Sequence, residues 1–364
     1  MKRRTLLKSA GAAVALGALP SRAAWASATA ADWRRYEITT QVSIKSAKGI
    51  SKAWIPLPMT LDTGWQRSLG SSWSGNASKT QVHRDGKYGL SLLYAEWAEG
   101  VAAPTIRVVS GIEARDRQVD PSRPVPGAER LSAEEVSVYT AATEMIPTDG
   151  IVRDTARDIV KGARTDVEKA RRIYEWVVEN TFRDPKTQGC GWGDIRAMLE
   201  TRNLGGKCGD LNALFVGLAR AAGVPARDVY GLRVAPSIHG YKSLGVGAAN
   251  ITRAQHCRAE FFAQGVGWVP VDPADVRKVV LEEPPTNLKI DDPKVVAARK
   301  RLFGGWEMNW MAYNTAHDVV LPNASGGPKL PYLMYVNAET GGERLDQLEP
   351  ERLVYEIRTN GVKA

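Results

Sequence analysis

From Trp33 to about Val119 the hydrophobic and polar positions alternate with a period of two. Tyr36-Glu37-Ile38-Thr39-Thr40-Gln41-Val42-Ser43-Ile44 is one such run, Ala53-Trp54-Ile55-Pro56-Leu57-Pro58 follows it, and Thr105 to Ile112 alternates again, with Gly, Ser and Asn between them. Short alternating runs separated by turn residues predict an antiparallel β-sandwich over 33–119. Three prolines between Pro121 and Gly127 mark a linker. The period then changes. Ser132-x-x-Glu135 and Thr165-x-x-Glu168 are capping-box patterns, and Val167, Ala170, Ile173, Tyr174, Val177 and Val178 form one apolar stripe behind the second. A third helix is expected to begin near Cys208, with Leu211, Leu214, Phe215, Leu218, Ala219 and Ala222 on one face and Gly223 and Pro225 to stop it. Strands are expected at Asp228 to Val234, His256 to Phe262 and Val266 to Asp272. Helices first and sheet afterwards predict an α+β domain over 120–285. The remainder, 286–364, reads as an extension packed on that core and ends in the alternating run Leu353-Val354-Tyr355-Glu356-Ile357. No internal repeat is evident.

Composition changes this picture at the amino terminus. With 43% hydrophobic and 24% charged residues the chain is an ordinary globular one, and disorder is not indicated. Residues 1–26 are different: Lys2, Arg3, Arg4 and Lys8 precede an apolar run from Ala10 to Leu19, and small residues follow at Ala24-Trp25-Ala26. This reads as an export signal, because the apolar run is too short to span a membrane. Arg3-Arg4-Thr5-Leu6-Leu7-Lys8 resembles a twin-arginine signal, so the twin-arginine export machinery is an expected partner; an arginine pair in an ordinary secretory signal is the alternative. Removing the segment leaves 44 basic against 40 acidic residues, an excess of +4 rather than +9. No basic stripe remains to recruit nucleic acid. A periplasmic or secreted protein without stable membrane insertion is expected.

Three cysteines, Cys190, Cys208 and Cys257, in an exported chain leave at least one thiol unpaired within it. Cys208 stands where Gly205-Gly206-Lys207 gives way to the apolar-periodic helix. A helix start supplies free N–H groups and the positive end of the dipole, both of which stabilise a thiolate. Such a nucleophile needs a base, and the candidates are His83, His239, His256 and His317. A hairpin centred on Gln264 places His256 directly opposite Asp272, on a face shared with Arg258 and Glu260. The other face, Cys257, Ala259 and Phe261, is apolar and is expected to pack on the core, turning Cys257 away from the site. Cys208 as nucleophile, His256 as base and Asp272 as the acid that orients it form a papain-like layout. No C-x-x-C pair exists and no second His or Cys stands at ligand spacing from His256, so no metal or cofactor is expected.

The same residues resemble a family. Gly206-Lys207-Cys208-Gly209-Asp210-Leu211-Asn212-Ala213-Leu214-Phe215, Ala222-Gly223-Val224-Pro225-Ala226-Arg227, His256-Cys257-Arg258-Ala259-Glu260 and Gly267-Trp268-Val269-Pro270-Val271-Asp272-Pro273 are similar to the core blocks of bacterial transglutaminase-like proteins. The resemblance covers roughly Thr165 to Val280. It implies a papain-like transglutaminase core of helices packed on an antiparallel sheet, preceded by the β-sandwich module, and it implies the same roles for Cys208, His256 and Asp272. Animal cross-linking members carry Gln before the cysteine and Trp after it, whereas Lys207 and Gly209 stand here. Nor is there an acidic loop of calcium-binding pattern.

Other residues carry weaker claims. The Cys208 N–H can give one oxyanion donor, and Gln188, Trp192 or Asn203 is a candidate for a second, although each also reads as a loop or packing residue. Asp210 reads as a residue matched to the helix dipole. Cys190 is a candidate to pair with Cys257 or to block Cys208. His239 and His317 read as surface or packing residues, and Trp306 to Tyr313 as core cover or a wall of a substrate groove. Together these predict a cysteine enzyme that forms a thioester with a peptide or protein amide and hydrolyses it. Transfer of the acyl group to an amine and a catalytically silent protein-binding module are the alternatives.

Overall fold

The computed structural model describes residues 33–61 and 63–362; the expected export signal, 1–26, lies outside the described residues. The alternating amino-terminal runs become β1 (Arg34–Ile44), β2 (Ser51–Pro56), β3 (Gln66–Gly75), β4 (Lys79–Asp85), β5 (Leu90–Trp97) and β6 (Thr105–Ala114). In β1 the buried positions are Tyr36, Ile38, Thr40, Val42 and Ile44, every second residue, as the pleat requires. The helical section holds α1 (Ala133–Thr140), α2 (Gly150–Ile159), α3 (Asp166–Asn180), α4 (Ile195–Thr201) and α5 (Cys208–Ala221). Both capping boxes form: Ser132 with Glu135 opens α1, and Thr165 with Glu168 opens α3. Then come β7 (Ala226–Arg233), β8 (Gln255–Ala263), β9 (Gly267–Val271), α6 (Pro273–Glu282), α7 (Pro293–Arg301), β10 (Trp310–Asn314), β11 (Asn337–Thr340), β12 (Glu343–Leu345) and β13 (Leu353–Thr359).

These strands build three principal sheets. One has the order β13-β1-β6-β3, one β12-β11-β2-β5-β4, and one β9-β8-β7-β10. The first two form the sandwich, and Val42, Ile44, Ile55, Leu93, Trp97, Ile106, Val108, Ala338, Leu345 and Leu353 pack in one core between them. Its composition is not purely amino-terminal. Leu353 pairs with Ile44 and Ala338 with Ala53, so the last stretch of chain supplies an edge strand to one sheet and two strands to the other. The same stretch also gives β10 to the third sheet.

The third sheet carries the helices. Ala259 and Phe261 of β8 face Leu214, Phe215 and Leu218 of α5 in one apolar cluster, with Ile173, Tyr174 and Val177 of α3 behind. Helix α5 is buried from Cys208 to Arg220. A helix enclosed on all sides is a core helix whose position is over-determined by its neighbours. That rigidity holds the first turn of α5 in place. The architecture is α+β, a papain-like core with a β-sandwich.

Candidate active site

Cys208 is the first residue of α5, and a glycine loop is drawn tightly over it. The N–H of Gly209 donates to the Cys190 carbonyl at 2.7 Å, and a Cβ at Gly209 would lie 2.6 Å from that same oxygen. Gly191 has φ +89, and a Cβ there would meet Asp210 Oδ2 at 1.8 Å. Only glycine admits both that backbone and that approach. Asp210 fastens the arrangement by accepting from Lys207 N–H at 2.9 Å and Gly193 N–H at 3.0 Å. It therefore ties two loops to the helix start, more than the dipole matching expected of it. Burial raises its carboxyl above the usual range despite those two donors.

His256 lies on β8, and Asp272 follows β9 directly and caps α6. The hairpin register differs from the expected one. Ala263 pairs with Gly267 and Ala259 with Val271, so the turn centres on Gly265, at φ +81, rather than on Gln264. Left-handed Gly265 suits a three-residue turn in a way Gln264 does not. Continued by one pair, this ladder sets Asp272 across from Arg258 and diagonal to His256. Because the partner moves by two residues, Asp272 keeps the face of His256; a shift of one would have reversed it. The cap completes the geometry. Asp272 Oδ1 accepts from the Asp275 N–H at 3.0 Å, leaving Oδ2 to meet His256 Nε2 at 2.8 Å.

Cys208, His256 and Asp272 are thus brought together, each at most 4% exposed. The neighbouring Cys190 and Cys257 thiols, and after them His256, hold the Cys208 sulfur well below the ordinary thiol range against the opposing effect of burial. Burial and Arg233 push the His256 imidazole down, but Asp275 and Asp272 outweigh them and raise it to about 9. Deprotonated sulfur beside a protonated imidazole is the ion pair that activates a cysteine nucleophile.

Several supporting residues went unread in the sequence. Asn212, one turn after Cys208, donates to Asp272 Oδ1 at 3.3 Å and to the Cys257 carbonyl at 2.9 Å. Its position four residues along the helix was the available signal. Asp275 lies 3.4 Å from His256 Nε2 and accepts from Arg233 at 2.5 Å. Cys257 corrects the expectation drawn from strand alternation. The sulfurs of Cys190, Cys208 and Cys257 all lie within 4.8 Å of one another, and all three are free thiols. Asn212 seats the first turn of α5 on the β8 backbone at Cys257, close enough for that side chain to reach the Cys208 sulfur. The polar face of the hairpin is also covered rather than open. Glu260 is clamped by Arg117 and Arg227. Arg258 stacks on Trp310 and Trp306, while Trp310 Nε1 donates to the His256 carbonyl at 2.9 Å. The aromatic stretch is thus a buried brace behind the histidine.

The remaining candidates fall outside this cluster. Gln188 and Asn203 are exposed, with Asn203 Oδ1 accepting from Gly205 N–H at 3.3 Å. Trp192 is 66% exposed on the rim of a groove beside α5. His239 is at the surface near Asp116, His83 packs edge-on to Tyr94, and His317 is buried against Tyr230.

Comparison with known proteins bears on the span that holds this geometry. A model of the transglutaminase-like superfamily matches residues 153–273. An uncharacterized protein of Haemophilus influenzae is 36% identical over 341 residues, covering 89% of this chain and 91% of the relative. The chain belongs to the transglutaminase-like superfamily. The match runs from α2 to the first residue of α6 and includes Cys208, His256 and Asp272. Among solved structures, a protein of Cytophaga hutchinsonii described as a "putative cysteine protease" aligns over 90% of this chain and 97% of its own with a TM-score of 0.52 at 13% identity, which is a likeness of fold. The periplasmic domain of TgpA from Pseudomonas aeruginosa aligns over 71% of this chain and 94% of its own at 15% identity, with a TM-score of 0.32. In this transglutaminase-like chain, Lys207 and Gly209 occupy the two positions beside the cysteine.

Proposed function

We propose that this chain is an exported cysteine hydrolase of peptide or protein amides. The observation that carries the reading is one cluster: Cys208 at the start of α5, His256 acting on its sulfur to lower the thiol, and Asp272 bound to His256 Nε2 at 2.8 Å. The Cys208 thiolate attacks the amide carbonyl, and the developing oxyanion meets the Cys208 N–H and the positive end of the α5 dipole. The His256 imidazolium gives its proton to the departing amine, leaving a thioester on sulfur. Neutral His256 then takes a proton from water as that water attacks the thioester, releasing the acid and restoring the thiolate. Asp272 holds the ring and balances its charge throughout.

Two features support a peptide as substrate and water as acceptor. A groove of about 260 Å³ lined by Gly191, Trp192, Asn203, Gly205 and Asp210 opens beside the start of α5, and exposed Trp192 offers an aromatic wall for an extended chain. Lys207 and Gly209 replace the residues that flank the cysteine in cross-linking members. Export rests on residues 1–26 and accords with the lack, among the described residues, of a helix long and apolar enough to cross a membrane.

The test is a peptide-library digest read by mass spectrometry, with and without a labelled primary amine. Wild-type protein is expected to release acids with water's oxygen incorporated, and Cys208→Ala and His256→Ala to release none. Identical digests from all three proteins would overturn the reading, and labelled amine on glutamine would replace hydrolysis by transfer. Independently, iodoacetamide is expected to label Cys208 well below pH 8.5, the midpoint of an ordinary thiol of about 8.5.

A further inference from the structure

The sulfurs of Cys190, Cys208 and Cys257 come from a loop, a helix start and a strand, and only folding gathers them. They are buried with Leu211, Val229, Tyr230 and Tyr335 in one apolar cluster. Metal–sulfur bonds of about 2.3 Å in a trigonal plane set the sulfurs about 4 Å apart; three sulfurs already within 4.8 Å of one another need little movement to reach that. Thiolates in an apolar pocket select soft cations, zinc and copper(I) foremost. Zinc asks for a fourth, tetrahedral ligand. Among the described residues the other clustered donors, His256, Asp272 and Asp275, form a group of their own, with His256 Nε2 held by Asp272 at 2.8 Å and 3.4 Å from Asp275. A three-coordinate soft ion remains.

We propose that Cys190, Cys208 and Cys257 form a trigonal copper(I) site that captures the nucleophile. Three copper–sulfur bonds form, the protons of those sulfurs that are thiols pass to solvent, and copper stays in the +1 state, so no oxidant or reductant is required. The bound ion occupies the lone pairs Cys208 would use on a carbonyl. Nothing in the pattern of spacing along the chain reveals this site, since no two of the cysteines are close in sequence.

The experiment uses the full reduced chain under anaerobic conditions, first counting free thiols and then titrating with the tetrakis-acetonitrile complex of copper(I) against bicinchoninate. One copper per chain, a sulfur-only shell of three in X-ray absorption, and protection of Cys208 from iodoacetamide are the expected results. Cys190→Ser, Cys208→Ser and Cys257→Ser are each expected to weaken binding at least tenfold, with folding checked by circular dichroism. The proposal falls if the folded chain yields fewer than three thiols, if bicinchoninate keeps the copper, if nitrogen or oxygen dominates the shell, or if folded serine variants bind as the wild type does. None of these readouts needs turnover, so failure here is separate from failure of the hydrolase reading.

Discussion

Two buried histidine–aspartate pairs stand on the β9-β8-β7-β10 sheet and its margin, and one is charged while the other is neutral. His256 and Asp272 meet at 2.8 Å, and Asp272 also accepts from Asn212 and the Asp275 N–H. His317 and Asp228 approach only to 3.6 Å, and among the described residues neither Asp228 oxygen nor His317 Nε2 has a hydrogen-bond partner. In the first pair the carboxylates overcome burial and raise His256 to about 9. In the second, burial wins: it raises Asp228 to about 7 although Arg220 opposes it, and with Arg220 it holds His317 well below its ordinary value. The sequence pairs alone do not distinguish them. Donors placed around the carboxylate decide whether a buried pair is charged or neutral.

The largest effects should come from taking apart the charged pair. Cys208→Ala removes the reacting atom and is expected to lower kcat/KM by at least about 10³-fold. Asp272→Asn keeps the shape but withdraws a charge from the ring, with an expected loss of about 10²- to 10⁴-fold. The pH profile supplies the more specific readout. A raised imidazole is protonated, and able to act as acid, below about 9. Activity should therefore fall above about 9 in the wild type, and at a lower pH in the Asn variant, within the span left by the remaining Asp275. An unmoved alkaline limb would show that His256 does not owe its proton to these carboxylates.

Asn212→Ala should have a smaller effect that bears directly on the comparison. It strips one donor from Asp272 and leaves the Cys257 carbonyl unmet, moving the first pair toward the condition of the second. A loss of about 1–3 kcal/mol in urea unfolding is expected from the unsatisfied groups, with about tenfold in kcat/KM. Full activity at unchanged stability would mean that water replaces the amide and the donor shell is not what maintains the charge.

How much of this was legible beforehand depends on how local each signal is. The helix start at Cys208 was readable because glycines, the apolar stripe and Gly223-Val224-Pro225 all lie within one short stretch. His256 and Asp272 were found through a hairpin whose register was wrong by one turn residue, and the inference survived because the resulting shift preserves parity. Cys257 was misread. Alternation tells which way a Cβ leaves a strand but not where the next helix sets down its first turn, and here Asn212 brings α5 onto that carbonyl. The strands β11 and β13 were unreadable as partners for another reason: Asn337 pairs with Trp54 and Ile38 with Thr359, separations that no periodicity records. The expected extension at 286–364 therefore turns out to contribute strands to the sandwich.

The smallest effect, and the sharpest contrast, belongs to the neutral pair. An Asp with a folded pKa of about 7 against about 3.9 unfolded binds its proton more tightly when folded. Its contribution to stability is therefore complete below about 4, shrinks as pH rises, and is gone above about 7, the reverse of an acid stabilised by a salt bridge. Asp228→Asn carries no such titration. The variant is expected to melt progressively higher than the wild type as pH rises from about 4 to about 7, with the gap constant beyond, while kcat/KM changes little because a neutral Asp228 places no charge near Cys208. Thermal unfolding followed by circular dichroism at half-unit pH steps checks it. A gap that does not widen between about 4 and about 7 would mean that Asp228 is ionised when folded, and that Arg220 supplies for the second pair the stabilisation that Asn212 and Asp275 supply for the first.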